Sequence, residues 1–140
     1  MKVYDAENQI LGRLSSHLAK ELLGGEKIIV VNAEKAVISG NPKWKTMHYK
    51  EKYERGDPIH GPFFPKQPDR IFKRTVRGML PWDRTKGRVA HKNLKVYVGV
   101  PDEFKLMKRE KFENADAKKL KVKSIPLGSI SLSMGAKKRW

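Results

Sequence analysis

The side chains best placed for chemistry in this chain are cations at helical spacing. Arg70, Lys73, Arg74 and Arg77 recur at i, i+3, i+4 and i+7, which lines them along one face of a helix. Ile71, Phe72, Thr75, Val76, Met79 and Leu80 take the opposite face. Arginine dominates the row, and its planar guanidinium forks onto two phosphate oxygens or lies flat on a base, which an ammonium does less well. A face serving only solubility would mix Lys with Glu. The helix must stop within Gly78-Met79-Leu80-Pro81, because Pro81 lacks an N–H and disfavours helical backbone at Leu80. Trp82, Arg84, Lys86 and Arg88 then fall on a basic loop, and His91 and Lys92 continue the basic surface. An indole among cations suits structured RNA, where phosphates crowd and exposed bases accept stacking. Trp82 is equally consistent with a core position.

Other chemistries lack a matching constellation. His17, His48, His60 and His91 lie far apart and without metal-ligand spacing, and no cysteine completes a set. Asp5 and Glu7 are close, but i and i+2 on an irregular segment makes turn formers of them. Ser15-Ser16 sits inside a helix with no elbow motif. The turn after the first strand holds one glycine, Gly12, where a dinucleotide fingerprint needs three. Asn32 and Glu34, at the end of the next strand, read as turn caps. Neither catalysis, a metal nor a cofactor is expected.

The charge distribution agrees with the cationic row. Thirty-one Lys and Arg against fifteen Asp and Glu give a net charge of +16 over 140 residues. Residues 1–40 carry five of each sign, 41–95 carry fifteen basic and five acidic, and 96–140 carry eleven and five. The first forty residues therefore read as neutral core and the remainder as a coat for a polyanion. No apolar run approaches the roughly eighteen residues of a membrane span, and the N-terminus lacks the charged and apolar regions of an export signal. The absence of cysteine excludes disulfides and agrees with a reducing interior.

The elements that must position the cations can be read in order. Lys2-Val3-Tyr4 is a short strand. A helix from about Arg13 to Leu23 carries Leu14, Leu18 and Leu22 on one face, ended by Gly24-Gly25. Ile28-Ile29-Val30-Val31, β-branched without polar alternation, suggests a strand buried on both faces, and strand, helix, strand make a βαβ unit with a right-handed crossover. Asn41 and Pro42 start a helix to about Tyr53, with Trp44, Met47 and Tyr49 inward. Its lysine face reads equally as solvated or as an RNA contact. Glu54 to Asp69, with four prolines and two glycines, is a long ordered loop, where Phe63-Phe64 either stack on bases or plug the core, the latter favoured by the adjacent prolines. A strand over Leu94 to Gly99 joins the sheet. Residues 105–123 mix both charges and read as a solvent-exposed helical extension or a contact to a neighbouring protein.

Three stretches, LGRLSSHLAKELLGGEKIIVVNAEKAVISGN, FFPKQPDRIFKRTVRGMLPWDRTKGR and LKVYVGVP, resemble the family of large-ribosomal-subunit protein thirteen, in its archaeal form. The match covers about residues 1–40 and 60–104, with residues 41–57 matching less well, and RTVRGMLP is its most specific motif. The resemblance implies a single α/β domain with three α/β/α layers around a mostly parallel four-stranded sheet, basic loops and a C-terminal extension. It implies a cytoplasmic protein of the large subunit, without catalysis or homo-oligomerisation, that binds large-subunit ribosomal RNA beside neighbouring ribosomal proteins and acts early in subunit assembly. The RNA-facing residues it implies are Arg70, Lys73, Arg74 and Arg77, then Trp82, Arg84, Lys86 and Arg88, and the basic C-terminus with Lys137, Lys138 and Arg139. Gly78 and Pro81 are implied to be architectural. The segment 124–135 resembles the family's closing helix, with Ile130 and Met134 docked, and residues 136–140 a tail ordered only on RNA.

Overall fold

The structure, a computed structural model, describes all 140 residues. Strand β1 (Lys2–Asp5) leads into α1 (Leu11–Leu23), which buries Leu11, Leu14, Leu18 and Leu22 along one stripe. Gly24 caps the helix and Gly25 takes φ 94°, a left-handed backbone suited to glycine. Strand β2 (Ile28–Val31) follows, and the chain then passes through β3 (Val37–Ser39), α2 (Pro42–Glu54), α3 (Pro68–Arg77), α4 (Thr85–Lys92), β4 (Leu94–Val96), β5 (Ser124–Pro126) and α5 (Leu127–Ser133).

β2 is the centre of the molecule. It pairs in parallel with β1 and β4, Ile29 standing opposite both Val3 and Lys95. Its side chains alternate between two apolar clusters: Ile28 and Val30 join the leucines of α1 with Ile71, Phe72 and Val76 of α3, while Ile29 and Val31 join Val3 and Phe104. A strand covered on both sides has no face for polar residues, which is why all four of its residues are β-branched and apolar.

Three expectations about the sheet are corrected. It has three parallel strands, not four. Residues 37–39 pair antiparallel with β5, Ile38 opposite Ile125, in a separate ribbon. The expected strand from Leu94 to Gly99 leaves the ladder after Val96, its last ties being Tyr97 N–H to the Val30 carbonyl (2.8 Å) and Asn32 N–H to that of Gly99 (2.9 Å). Nor is there a helical layer on the second face. Phe104, Tyr97 and Val100 cover it around a single 3-10 turn, Asp102–Phe104.

The C-terminal ends of the parallel strands, where open α/β sheets usually hold ligands, are tied by side chains. Asn32, in left-handed backbone, donates to the Asp5 carboxylate at 2.8 Å, Asp5 also accepts from the Glu7 N–H at 3.0 Å, and Glu34 accepts from the Gly99 N–H at 3.0 Å. These residues are turn formers, as their sequence context suggests.

The C-terminal third differs from expectation. Residues 105–123 form no α-helix. Lys105 to Arg109 are exposed, but Glu110 bonds the backbone of Val3 and Asp5, Phe112 stacks between Tyr4 (4.8 Å) and His17 (4.6 Å), and Ala115 is fully buried. Ile130 and Met134 dock as expected. The tail is not free, because Trp140 returns half-buried to within van der Waals reach of Gly128. α2 has no buried residue; Trp44 is 52% exposed and Met47 similarly so. Trp44 and Met47 lie on its outer side, whereas Tyr49 packs on the core as expected, in a half-buried stripe with Pro42, Lys45, Thr46 and Lys52.

α3 starts at Pro68, its first helical position, two residues before Arg70. It buries Ile71, Phe72 and Val76, and Leu80 follows beneath it. Met79 is exposed, because the helix ends at Arg77 with Gly78 as cap and the chain turns before Met79 can continue the buried stripe. Ile71→Ala should cost about 2–5 kcal/mol, whereas Arg70→Ala on the exposed face should stay within about 0.5 kcal/mol; urea denaturation of both variants checks the two-sided helix, and equal losses would contradict it.

Candidate nucleic-acid interface

The outward side of α3 lines an open groove of about 890 Å³. Its other walls are Tyr49 and Lys52 of α2, Arg55, the Pro62–Pro65 stretch, and His91 of α4. Six cationic side chains line it, Lys52, Arg55, Arg70, Lys73, Arg74 and Arg77, with no Asp or Glu among them. The molecule's six ion pairs lie elsewhere, and none engages a cation of α3 or α4. Positive charges that attract no carboxylate repel one another and attract a polyanion.

The loop opposite α3 is stiffened by its own bonds. The Asp57 carboxylate accepts from the backbone N–H groups of Ile59 and His60 and contacts the His60 ring, which together hold its pKa below the ordinary carboxylate value. Gly56, at φ 92°, passes so close to the Gly61 carbonyl that a Cβ would lie 2.2 Å from its oxygen. Phe63 and Phe64 divide the two roles considered for them. Phe64 is half-buried against the core, edge-on to Tyr49 at 6.0 Å, whereas Phe63 is 73% exposed. The plugging expectation thus holds for one ring only.

Trp82 is neither a core residue nor a free platform. It is 38% exposed, the Arg77 guanidinium lies 4.3 Å from its ring centre, and His91 meets it edge-on at 5.1 Å. The Arg88 Nε donates to the Trp82 carbonyl at 2.9 Å. Lys86 and Arg88 are on a helix, α4, which also carries His91 and Lys92, and not on the expected loop, which is confined to residues 78–84. α4 packs closely because residue 87 is glycine: a Cβ there would sit 2.1 Å from the Pro81 carbonyl oxygen. Pro81 therefore does more than stop α3; its carbonyl is the surface on which α4 rests.

Of the residues singled out in the sequence, the groove gathers Arg70, Lys73, Arg74, Arg77, Gly78 and His91, and Trp82 adjoins it through Arg77 and His91. Arg84, Lys86, Arg88 and Lys92 are exposed beyond it, and Lys137, Lys138 and Arg139 are exposed at the chain's end, outside the groove lining. His91 corrects the expectation of a surface cation. It is half-buried with its Nε2 enclosed and unpaired. Burial, then the charge of Lys73 and of Arg77, lowers its pKa from 6.5, against an opposing backbone contact with Lys73. Sequence reasoning does not single out Arg55 or Gly87. A glycine inside a run of helix formers was the only local sign of the last.

A family profile described as Ribosomal protein L13 matches residues 1–103. "Large ribosomal subunit protein uL13" of Archaeoglobus fulgidus is 52% identical over 135 residues, covering 95% of this chain and 86% of that protein. The protein of the same description from Methanosarcina barkeri is 53% identical over 139 residues, covering 98% and 99%. The chain belongs to the ribosomal protein L13 family. A third L13 relative, from Methanocaldococcus jannaschii, is 45% identical over 141 residues, again covering 98% and 99%, so the archaeal members align well past residue 103. L13 proteins are constituents of the large ribosomal subunit and not enzymes. No helix of this chain is long and apolar enough to cross a membrane, and nowhere do three His, Asp or Glu side chains converge as metal ligands.

Gly87→Ala should cost about 1–3 kcal/mol by overpacking against Pro81 and shift Trp82 fluorescence, read from thermal melts followed by emission. The lowered pKa of His91 also sets a pH dependence. Its proton binds the unfolded chain more tightly than the folded one, so its contribution to stability is present above about pH 6.5 and lost as pH falls through the folded-state value. The urea midpoint should drop over that range, and His91→Gln should flatten the drop; an unchanged profile in the variant would remove His91 as the cause.

Proposed function

We propose that the protein binds large-subunit ribosomal RNA through the outer face of α3, extended by Arg84, Lys86, Arg88 and Lys92 and by the tail cations Lys137, Lys138 and Arg139, with Trp82 and His91 packed behind Arg77. The observation that carries this reading is the groove's six cations without a carboxylate. Guanidiniums on a rigid helix meet phosphates at fixed spacing, and a rigid display loses little entropy on binding. The packed Arg77–Trp82–His91 group keeps α3 and α4 in one relative position, with Gly78 and Pro81 setting the turn between them. Trp82 acts here by holding Arg77 in place, its ring face being already occupied by that guanidinium.

Such a surface is useful early in subunit assembly, when ribosomal RNA segments must approach one another against their own repulsion and a cationic wedge neutralises both sides. The protein works in the cytoplasm as one copy per subunit beside other ribosomal proteins. The exposed run from Lys105 to Arg109 is the surface offered to one of them.

If the face contacts about six to ten phosphates, affinity for ribosomal RNA should fall by roughly 10³ to 10⁵ between about 50 and 200 mM salt. Arg74→Ala, at an exposed position outside the Trp82 cluster, should lower the salt slope by about one unit and leave the urea midpoint unchanged. Filter binding over a salt series measures the slope. Photocrosslinking to total RNA gives the independent check: crosslinks should gather in large-subunit ribosomal RNA and on α3, and a scatter over transfer RNA and other RNAs would overturn the reading.

A further inference from the structure

The groove holds one aromatic ring with no partner. Tyr49 and Phe64 meet edge-on, Trp44 stacks on His48, Trp82 lies under Arg77, and Phe112 is held between Tyr4 and His17. Phe63, 73% exposed, has neither an aromatic nor a cationic neighbour of that kind, although it lines the groove among Arg55, Arg70 and Arg74. An exposed ring on a mobile segment would carry little meaning. This one stands on a loop closed by the Gly56–Gly61 contact and the Asp57 bonds, and its neighbour Phe64 is anchored in the core.

Resting on the RNA-binding reading above, we infer that the groove receives an unpaired nucleotide of the RNA, its base stacked on Phe63 and its flanking phosphates held by Arg55, Arg70 and Arg74. The base of a regular duplex is stacked on its neighbours and shows no free face, so a duplex would engage the cations and leave Phe63 in water. A bulged or looped nucleotide satisfies both, since base–aromatic stacking needs a free π-face and tolerates any base. The groove is lined from two elements: α3 supplies Arg70 and Arg74, and the segment between α2 and α3 supplies Arg55 and Phe63. A nucleotide entering between them meets both phosphate contacts and a flat apolar surface. Phe63 is thus assigned selectivity for unpaired RNA, distinct from the affinity that the cations provide.

The test compares two synthetic RNAs, a uniform duplex and the same duplex interrupted by a short bulge of unpaired adenosines, with the full-length protein. Wild type should bind the bulged RNA more tightly. Phe63→Ala should lose that preference by a factor of about 5 to 150, the range for one base–aromatic stack, with little change toward the duplex. Phe63→Trp should retain the preference and Phe63→Leu should not, since leucine restores apolar surface without a π-face. A wild type indifferent to the bulge, or a Phe63→Ala protein that keeps the preference, overturns the stacking assignment; Arg74→Ala still altering the salt slope then leaves the broader reading standing. Competition by polyglutamate equal to that by either RNA would overturn both.

Discussion

The structure depends on burying one side of α3 firmly enough to hold the other side's charge in place. Ile71, Phe72 and Val76 are fully enclosed, and their packing on β2 and α1 fixes the helix in position. Four cations on its outer side and Lys52 and Arg55 opposite repel one another without a compensating carboxylate. In isolation that repulsion opposes folding, and apolar burial must exceed it. The sheet serves this purpose directly. Because β2 is covered on both sides, α3 rests on a layer that cannot shift without opening two apolar clusters.

The same electrostatic crowding explains how the end of α3 is built. Arg77, the last residue of the helix, finds no acidic partner, and its guanidinium lies instead over the indole of Trp82, an interaction that accepts a cation without cancelling its charge. His91 then fills the space at the indole's edge as a neutral ring, since burial and two nearby cations disfavour its protonation. Gly87 permits this arrangement by letting α4 approach the Pro81 carbonyl. The site therefore keeps its full positive charge on the outside and hides a titratable group beneath it. Approach of phosphate would relieve the repulsion felt by His91, coupling anion binding to proton uptake at that ring in the direction opposite to the effect of the cations.

Periodic features were legible in the sequence and relational ones were not. The two faces of α3, the leucine stripe of α1 and the double burial of β2 each follow from a local repeat of 3.6 or from its absence, so they survive without knowledge of partners. α4 has no helical signature in the sequence because its buried positions are Gly87 and Ala90, which carry no apolar signal, and its stability comes from contacts with Pro81 and α1. Ser124-Ile125-Pro126 contains a proline and pairs with a strand some ninety residues earlier in the chain, so nothing local marks it as a strand. Phe63 and Phe64 were treated as a unit, yet neighbouring side chains on an extended backbone point to opposite sides. One ring could reach Tyr49 only if the other faced the groove. The groove itself joins residues from α2, a loop, α3 and α4, and charge counting along the chain registered its sign without its shape.

The C-terminal third raises the question of what belongs to the fold. The family profile stops at residue 103, one position before Phe104 closes the cluster of Val3, Ile29 and Val31. Without the residues beyond that boundary, the second side of β2 would lose Phe104 and keep only Tyr97 and Val100 as cover, Tyr4 and His17 would lose the ring between them, and the Ala33–Lys35 turn would lose α5. Charge pattern alone suggests an appendage, because eleven of the nineteen residues 105–123 are charged. Phe104 just before it, and Phe112 and Ala115 within it, are the apolar residues that reach the core. The archaeal relatives align through this region at close to full length, as expected if it completes the core on which α3 depends. A charged segment with a few apolar residues at wide spacing is thus better understood as a strap, whose contacts with the sheet are sparse along the chain but close the face that the helices leave open.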